Sequence, residues 1–459
     1  MNIKNAFYGG RTNNIQFYKK VDGEEFRIRY LDFTSLYPFV LKTKEYPLEH
    51  PEVISEDFDY TLDSYELGFV KCILLAPDDK YLPVLPLTIN CKLSFPLCYT
   101  CARDKTKECT HHIEGRVLKG TWTTIELKEA LKQGYKIIDI IEVLNYKKTS
   151  NELFLGFINT WLKVKQESSG WPSWCQSETD KQQYITNYKE RENIDLEYDK
   201  ITKNPGLRYI AKIMLNSFWG KFAQRPNLPK TEVINCCSEF WDIANDNNKE
   251  IIYCFMITEN VMIINWKYKE EGMCKVKDYS LAIASYVTAY ARLELYNLMK
   301  KIEEIRPFSL LYHDTDSVLY VEHKDDPKIE CGDFLGELTD EISQNETCIE
   351  FVSLGPKSYG YITKDKTTGK IKTILKLKGI AMNTEAEKIL SFDNLKVMIE
   401  KYIENNDRIY YKIPQSQINC TLHQELLTRK FDKVFKLTSD KRKIIDGLTY
   451  PYGFKRIRT

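Results

Sequence analysis

Hydrophobic residues follow two patterns along this chain, one typical of strands and one typical of helices. Runs rich in β-branched and aromatic residues predict strands over 26–34, 68–76, 251–257, 261–268 and 308–323. Apolar residues that recur every three or four positions predict helices over 123–135, 151–167, 204–222, 279–305 and 392–404. Because the two types mix without a regular strand–helix–strand rhythm, the pattern predicts an α+β fold.

The chain has 459 residues, 43% of them apolar, so two or more subdomains are expected. It contains no apolar run of about 18 residues and no N-terminal apolar core typical of a signal peptide. We therefore expect an intracellular chain that is neither secreted nor membrane-spanning; nucleus, cytoplasm and mitochondrion all stay open. Thirteen cysteines in such a chain indicate reduced thiols or metal ligands rather than a disulfide framework.

Charge is distributed unevenly, although the net charge is only +1. Residues 351–459 carry 22 Lys and Arg against 11 Asp and Glu, whereas residues 1–350 carry 44 against 54. This asymmetry is typical of phosphate binding. A solvated lysine-rich surface is the alternative interpretation.

Two carboxylate motifs indicate divalent-metal chemistry. Asp32 ends an apolar strand, where its oxygens could hold a metal ion, although an Asp in this position also serves as a cap or turn residue. Asp314 and Asp316 lie two positions apart between two apolar runs, as on one face of a β-hairpin. Like charges this close are unfavourable unless a cation neutralises them, so the interpretations are a metal site or a structural turn.

A helix over 204–222 would align polar side chains on one face. Arg208, Lys212, Asn216 and the pair Trp219–Gly220 follow spacings of three or four. Cations suit triphosphate oxygens, and an aromatic ring suits a base. The alternative is a solvated amphipathic helix with Trp219 in the core.

Together these segments resemble the three polymerase motifs of family B DNA polymerases. Asp32–Pro38 is similar to the DxxSLYP motif and Tyr312–Ser317 to the YxDTDS motif. Lys212–Gly220 is similar to KxxxNSxYG, with Trp219 where the family usually has Tyr. All three occur in the family's order.

Smaller elements resemble one branch of this family. Phe7–Gly10 is similar to YxGG, Thr288–Arg292 to TxxGR with Ala for Gly, and Lys357–Tyr359 matches KxY. An extra segment over 227–278 is typical of protein-primed members, which include enzymes of phages, adenoviruses, linear plasmids and large self-synthesising transposons. The resemblance therefore implies a viral or transposon source.

The resemblance implies a right-hand polymerase with an antiparallel-sheet palm, helical fingers and a small thumb. Its implied parts are 1–150 (N-terminal element, first part of the palm and first insertion), 151–226 (fingers), 227–278 (second insertion), 279–356 (second part of the palm) and 357–459 (basic thumb and C-terminal segment). The implied activity is that of a DNA-directed DNA polymerase, a nucleotidyltransferase of DNA replication. It would add deoxynucleotides to a primer 3′-OH or to a terminal-protein hydroxyl.

The resemblance also implies roles for individual residues. Asp32 and Asp316 would hold two Mg²⁺ ions, with Mn²⁺ as a substitute, and Asp314 would be a supporting catalytic carboxylate. The implied nucleotide-binding residues are Phe33 (through its carbonyl), Ser35, Leu36, Tyr37, Arg208, Lys212, Asn216, Trp219 and Gly220. The implied contacts with primer–template DNA are Tyr8, Gly9, Gly10, Thr288, Arg292, Tyr312, Lys357, Tyr359, Lys376 and Lys378.

A cysteine-rich run lies outside these motifs. Cys98, Cys101 and Cys109, followed by His111, have ligand types and spacing that suit a structural Zn²⁺, and Cys91 could replace one ligand. Reduced cysteines in a loop are the alternative. Relatives carry an insertion here that faces the terminal protein.

A proofreading exonuclease domain is not expected in this chain. Only 31 residues precede Asp32, and Asp195–Glu197, which spells the exonuclease DxE, falls in the presumed fingers. A separate exonuclease-bearing part is therefore a candidate partner, beside dNTPs, primer–template DNA and a terminal protein. An inactive DNA-binding remnant and a two-metal nuclease are the alternative functions. A reverse transcriptase is disfavoured, because the hairpin reads Asp-Thr-Asp and not two adjacent aspartates.

Overall fold

The structure is a computed structural model, which describes residues 1–224, 227–269, 279–405, 407–420, 425–445 and 447–455. It divides into two compact units, one formed by Met1–Asn216 with Ser285–Thr459 and the other by Ser217–Ala284. Among the described helices, none is long and apolar enough to cross a membrane.

Helices and strands alternate irregularly, which confirms the predicted α+β fold. The helices are α1 (Leu36–Thr43), α2 (Tyr99–Asp104), α3 (Ile113–Arg116), α4 (Thr124–Lys132), α5 (Leu155–Glu167), α6 (Glu178–Glu192), α7 (Pro205–Ser217), α8 (Cys237–Ala244), α9 (Leu281–Ile305), α10 (Thr384–Ile389) and α11 (Phe392–Asn405). Short 3₁₀ helices cover Ile3–Ala6, Tyr198–Lys200 and Phe218–Ala223.

The strands are most numerous in the first unit. They are β1 (Thr12–Asn14), β2 (Tyr18–Lys20), β3 (Phe26–Phe33), β4 (Tyr46–Pro47), β5 (Glu52–Ile54), β6 (Leu67–Leu75), β7 (Leu87–Ile89), β8 (Lys92–Ser94), β9 (Leu118–Thr123), β10 (Lys136–Tyr146), β11 (Thr149–Ser150), β12 (Lys230–Ile234), β13 (Lys249–Thr258), β14 (Val261–Tyr268), β15 (Leu310–Asp314), β16 (Ser317–His323), β17 (Leu338–Asp340), β18 (Glu346–Gly355), β19 (Ser358–Asp365), β20 (Ile371–Leu377), β21 (Tyr410–Cys420), β22 (Leu426–Lys436), β23 (Lys443–Ile445) and β24 (Leu448–Tyr450).

A nine-stranded antiparallel sheet forms the centre of the first unit. Its order is β1-β15-β16-β3-β18-β19-β20, while β17 also pairs with β3 and β2 with β18. Alternating apolar residues of these strands, such as Ile28, Leu319 and Phe351, form one buried cluster. This sheet contains strands from both segments predicted to contribute to the palm, 1–150 and 279–356.

The sheet continues beyond residue 356, where the sequence predicted that the palm would end. β19 and β20 pair along their whole length, and β19 pairs with β18. β20 belongs to the segment predicted to form the basic thumb, and its Leu377 is buried in the core beneath the sheet. The helix α11 packs into the same core through Leu395, Met398 and Ile399.

The second unit has a core of its own. A three-stranded sheet, β12-β14-β13, packs against α8 around Ile234, Ile243, Ile264 and Trp266. The insertion predicted over 227–278 falls within this unit, and its residues 270–278 lie outside the described residues.

The helix predicted over 204–222 ends earlier than expected. The α-helical hydrogen-bond pattern stops at Ser217, and the chain tightens into the 3₁₀ helix Phe218–Ala223. The predicted common face therefore holds for Arg208, Lys212 and Asn216, but Trp219 and Gly220 do not continue it. The apolar spacing persists through this change of backbone, so it could not reveal the break.

Candidate active site

Strand pairing brings the distant carboxylates Asp32 and Asp316 together. β3 and β16 are antiparallel neighbours, with Asp32 opposite Ser317. The Phe33 N–H donates to the Asp316 carbonyl over 2.8 Å, which fixes the backbone beside both side chains. After Phe33 the chain turns through Ser35, whose φ of 56° starts α1 in the left-handed region. Asp32 and Asp316, the pair predicted from the sequence, therefore lie side by side where these two neighbouring strands meet at one end of the sheet.

The two carboxylates are partly buried and repel each other. Burial raises the pKa of Asp32 to about 7, and the negative charge of Asp316 adds to this shift. Burial and the charge of Asp314 raise the pKa of Asp316 to about 6. In the described part of the chain neither forms an ion pair, although Glu341 adds further negative charge nearby. Hard oxygens with uncompensated charge fit a divalent cation.

The N-terminal segment contacts the turn between β15 and β16 and holds it in place. Thr315 has a φ of 60°, and its N–H donates to the Arg11 carbonyl over 2.8 Å. A Cβ on Gly10 would lie 2.9 Å from the Thr315 methyl group. Gly10 therefore allows the close approach that positions the turn. Gly9 meets no such restriction, since a Cβ there has no described atom within 4 Å.

Asp314 has positively charged and hydroxyl partners, unlike the other two carboxylates. Lys357 Nζ lies 2.8 and 3.1 Å from its two oxygens, and the Thr12 hydroxyl donates to it over 2.7 Å. The Lys357 N–H donates to the buried Tyr312 hydroxyl over 2.8 Å. These contacts hold the hairpin in place, which fits a supporting role for Asp314.

Thr288 and Arg292, which the sequence predicted to contact DNA, are only 0% and 3% exposed. Arg292 Nε pairs with Glu126 over 2.9 Å, and its Nη1 donates to the carbonyls of Tyr8 and Gly9. Both side chains are thus turned into the protein in this structure, and direct DNA contact by them stays a prediction. Arg292 instead fixes the segment that leads to Gly10.

Other predicted DNA contacts divide into buried and exposed groups. Tyr8, Tyr312 and Tyr359 are buried, and the Tyr359 hydroxyl shares a 2.8 Å hydrogen bond with Tyr30. Lys376 and Lys378 are exposed. Lys376 Nζ lies 5.3 Å from the centre of the Tyr30 ring, and its charge helps to keep Asp32 ionised.

A lysine that the sequence interpretation missed lies with the predicted phosphate-binding cations. Lys165 of α5 donates to the Ser35 hydroxyl over 3.3 Å. Burial lowers its pKa to about 8, and the positive charges of Arg208 and Lys212 add to this effect. Lys212 also helps to keep Asp32 ionised. Lys163 and Lys165 are separated by a single residue, so the local sequence did not indicate that Lys165, and not Lys163, lies near Arg208 and Lys212.

The remaining predicted nucleotide-binding residues differ in setting. Leu36 is buried, and burial with the charge of Asp316 raises the pKa of Tyr37 to about 12. Tyr37 is thus near the carboxylates. Trp219 and Gly220 belong to the 3₁₀ helix of the second unit, where a Cβ on Gly220 meets no described atom within 4 Å.

Two other sequence motifs lie apart from the carboxylates. Cys98, Cys101, Cys109 and His111 form a cluster of possible metal ligands. Asp195, of the DxE spelling, is exposed and pairs with Lys189 over 2.6 Å. It follows α6 in a loop, which agrees with a chance match to the DxE motif.

Comparison with known proteins gives one consistent result. The family model described as DNA polymerase type B, organellar and viral, matches residues 1–171 and 173–305. Two proteins named "Probable DNA polymerase" are similar: that of Neurospora intermedia is 23% identical over 84% of this chain and 33% of its own length, and that of Podospora anserina is 25% identical over 89% and 30%. This chain thus spans about a third of these curated relatives.

Solved structures show the same fold. Phi29 DNA polymerase complexed with primer-template DNA and incoming nucleotide superposes with a TM-score of 0.57 at 17% identity, over 95% of this chain and 62% of that one. Its complex with primer-template DNA alone gives a TM-score of 0.54. The predicted right-hand fold is thereby confirmed.

The charge repulsion between Asp32 and Asp316 predicts a pH-dependent response to Mg²⁺. At about pH 8 both are ionised, so Mg²⁺ at ten times its Kd should stabilise the fold by about 1.4 kcal/mol. At about pH 5 both carboxyls are protonated, since their pKa values are raised, and the effect should disappear. Thermal unfolding with Mg²⁺ or a chelator measures this. Asp316→Asn should lose the response at both pH values; an unchanged response would contradict the site.

Proposed function

Because this chain belongs to the organellar and viral type B DNA polymerases, we propose that it carries the nucleotidyl-transfer centre of a template-directed DNA polymerase. The observation that supports this most directly is the β3–β16 register, which places Asp32 beside Asp316. Lys212 lies close enough to influence the charge of Asp32. A carboxylate pair next to cations suits a nucleotide triphosphate with its metal ions.

Asp32, Asp316 and the Phe33 carbonyl would hold two Mg²⁺ ions, with Mn²⁺ as a substitute. When bound, these ions would activate the primer hydroxyl and neutralise charge on the triphosphate and leaving pyrophosphate. Asp314 is already neutralised by Lys357, so its role is to hold the hairpin that presents Asp316. Asp314 is assigned a supporting role because it pairs with Lys357, and Asp32 and Asp316 are assigned to the metal ions because they form no ion pair among the described residues.

The cations of α5 and α7 would hold the incoming nucleotide. The charges of Arg208 and Lys212 add to the lowering of the Lys165 pKa that burial causes, and a triphosphate would relieve this repulsion. Asn216 would help to place the nucleotide, and Trp219 would pack on the nascent base pair. Tyr37 would lie under the sugar and exclude a ribose 2′-OH by steric clash.

The exposed lysines of the sheet edge and the basic C-terminal region would contact the primer–template. Lys376 and Lys378 are exposed, and Lys376 lies near enough to Asp32 to lower the pKa of that carboxyl. Phosphate contacts position a duplex without reading its sequence, as replication of any template requires. A two-metal nuclease would explain the carboxylates, but it gives no reason for the Lys165–Arg208–Lys212 cluster.

Primer extension tests the proposed activity. Asp316→Ala should slow incorporation about 10³-fold or more, about 4 kcal/mol, because it removes a shared metal ligand. Asp195→Ala is the matched control, since this exposed carboxylate pairs only with Lys189 among the contacts described. The control should extend like the unmodified chain. Equal extension by all three proteins would reject the catalytic role of Asp316. DNA binding without extension by any of them would instead favour an inactive remnant.

Lys165 should contribute to nucleotide binding. Lys165→Ala removes a charged contact that contributes about 1.5–3 kcal/mol, so the KM for dNTP should rise at least about tenfold. Because the pKa of Lys165 is lowered to about 8, the KM of the unmodified protein should rise above that pH as the ammonium loses its proton. Steady-state kinetics across pH measure both effects. Lys163→Ala, whose Nζ pairs with Glu197 over 2.7 Å, is the control, and an equal KM in both variants would contradict the role.

We also propose that this chain starts synthesis on a protein hydroxyl, because the insertion predicted over 227–278 is typical of protein-primed polymerases. Transfer of a labelled deoxynucleotide onto a serine, threonine or tyrosine of a terminal protein encoded with this chain should depend on Asp316. Gel detection of the labelled protein measures this transfer. Normal extension of DNA primers with no labelling of the protein would reject protein priming and leave the polymerase assignment intact.

A further inference from the structure

The cysteine-rich loop brings four ligand atoms together away from the carboxylates. Cys98 precedes α2, Cys101 lies in its first turn, and Cys109 and His111 follow in the loop before α3. The ligand atoms of all four lie within 4.8 Å of one another. His111 Nδ1 is 3.6 Å from Cys98 Sγ, 3.3 Å from Cys101 Sγ and 3.9 Å from Cys109 Sγ.

These separations match one coordination geometry. In a tetrahedral zinc site, with bonds of about 2.3 Å to sulfur and 2.0–2.1 Å to nitrogen, the sulfur and nitrogen ligands are about 3.5 Å apart. The three measured distances lie around this value. The Cys101 N–H also points to Cys98 Sγ over 3.5 Å, as is suitable for a thiolate ligand.

We propose that Cys98, Cys101, Cys109 and His111 bind one structural Zn²⁺ and that this centre fastens the C-terminal segment, residues 439–455, to the catalytic sheet. Four protein ligands leave no open position for a substrate. The site is thus structural, and it does not depend on the proposed polymerase activity.

The C-terminal segment is attached directly to the ligand loop. The N–H groups of Leu97 and Cys98 both donate to the Tyr452 carbonyl, over 2.7 and 3.2 Å. Gly453 follows with a φ of 92°, and a Cβ there would clash with Cys98. Asp440 pairs with Lys92, which precedes the loop, and with Lys105, which lies between Cys101 and Cys109. Ordering the loop therefore orders the segment.

The same segment reaches the strand beside Asp314. Ser439 donates to the Asn14 side chain over 2.9 Å, and Lys441 donates to the Thr12 carbonyl over 3.1 Å. The Thr449 hydroxyl donates to the Ile15 carbonyl over 2.7 Å. Thr12 in turn donates to Asp314. The C-terminal segment therefore connects the ligand loop to the catalytic hairpin through a series of hydrogen bonds.

A buried lysine provides a second, electrostatic observation. Lys443 is 6% exposed, and its Nζ donates to the carbonyls of Lys107 and Phe454 over 2.8 and 2.7 Å. Within the described ranges it forms no ion pair with a carboxylate. Burial lowers the pKa of Lys443, and the nearby Cys101, Cys109 and Glu108 only partly oppose this effect. Three thiolates around Zn²⁺ carry a net negative charge, which would balance this buried ammonium.

Metal content and spectroscopy test the ligand set on the full chain. Purified protein should contain one zinc per chain, and Co²⁺ substitution should give the absorption bands of a tetrahedral thiolate site. Cys109→Ser should lose both signals. Cys91→Ser is the matched control, because Cys91 is exposed and lies outside the cluster, and it should keep both. Absence of zinc and of cobalt bands, or loss of metal in Cys91→Ser alone, would overturn the proposed ligand set.

Hydrogen exchange tests the second half of the proposal. Removing the metal with a chelator should increase exchange in residues 447–455 and in 12–15, while the second unit, 217–284, stays unchanged. Adding Zn²⁺ back should restore protection, in the unmodified chain but not in Cys109→Ser. Equal protection of 447–455 with and without metal would show that zinc does not fasten this segment, and would overturn that part of the inference.

Discussion

The antiparallel register of β3 and β16 is the constraint on which the rest of the site depends. It places two partly buried carboxylates side by side, and among the described residues neither forms an ion pair, although lysines lie further away. Such an arrangement is unfavourable for the protein alone, since burial and mutual repulsion raise both pKa values. A site that is costly without a cation and favourable with one is suited to bind a divalent metal at neutral pH.

The surrounding structure keeps this unfavourable arrangement in place. Arg292 and Glu126 form a buried pair that holds the carbonyls of Tyr8 and Gly9, and Gly10 then packs against the Thr315 turn. Lys357 neutralises Asp314 from the other side. Arg292, which was predicted to touch DNA, thus also supports the hairpin in this structure. Breaking a buried pair of this kind is typically strongly destabilising.

Sequence patterns predicted several of the longer elements and the central carboxylates, because these depend on local spacing. The strand over 26–34, the hairpin over 308–323 and the helix over 392–404 are present within a few residues. The pattern did not reveal that β19 and β20 extend the sheet, since strand pairing between distant segments leaves no local mark. Burial of Arg292 and the approach of Lys165 to Ser35 were hidden for the same reason. The end of α7 at Ser217 was missed because apolar spacing continues into the 3₁₀ turn.

Anomalous scattering from crystals grown with primer–template DNA, a nucleotide and Mn²⁺ tests the central claim most directly. We expect manganese peaks about 2 Å from carboxylate oxygens of both Asp32 and Asp316, and no peak bound to Asp314 alone. Crystals of Asp316→Asn, grown in the same way, should lose or weaken these peaks. Manganese bound elsewhere on the chain, with none between Asp32 and Asp316, would contradict the account.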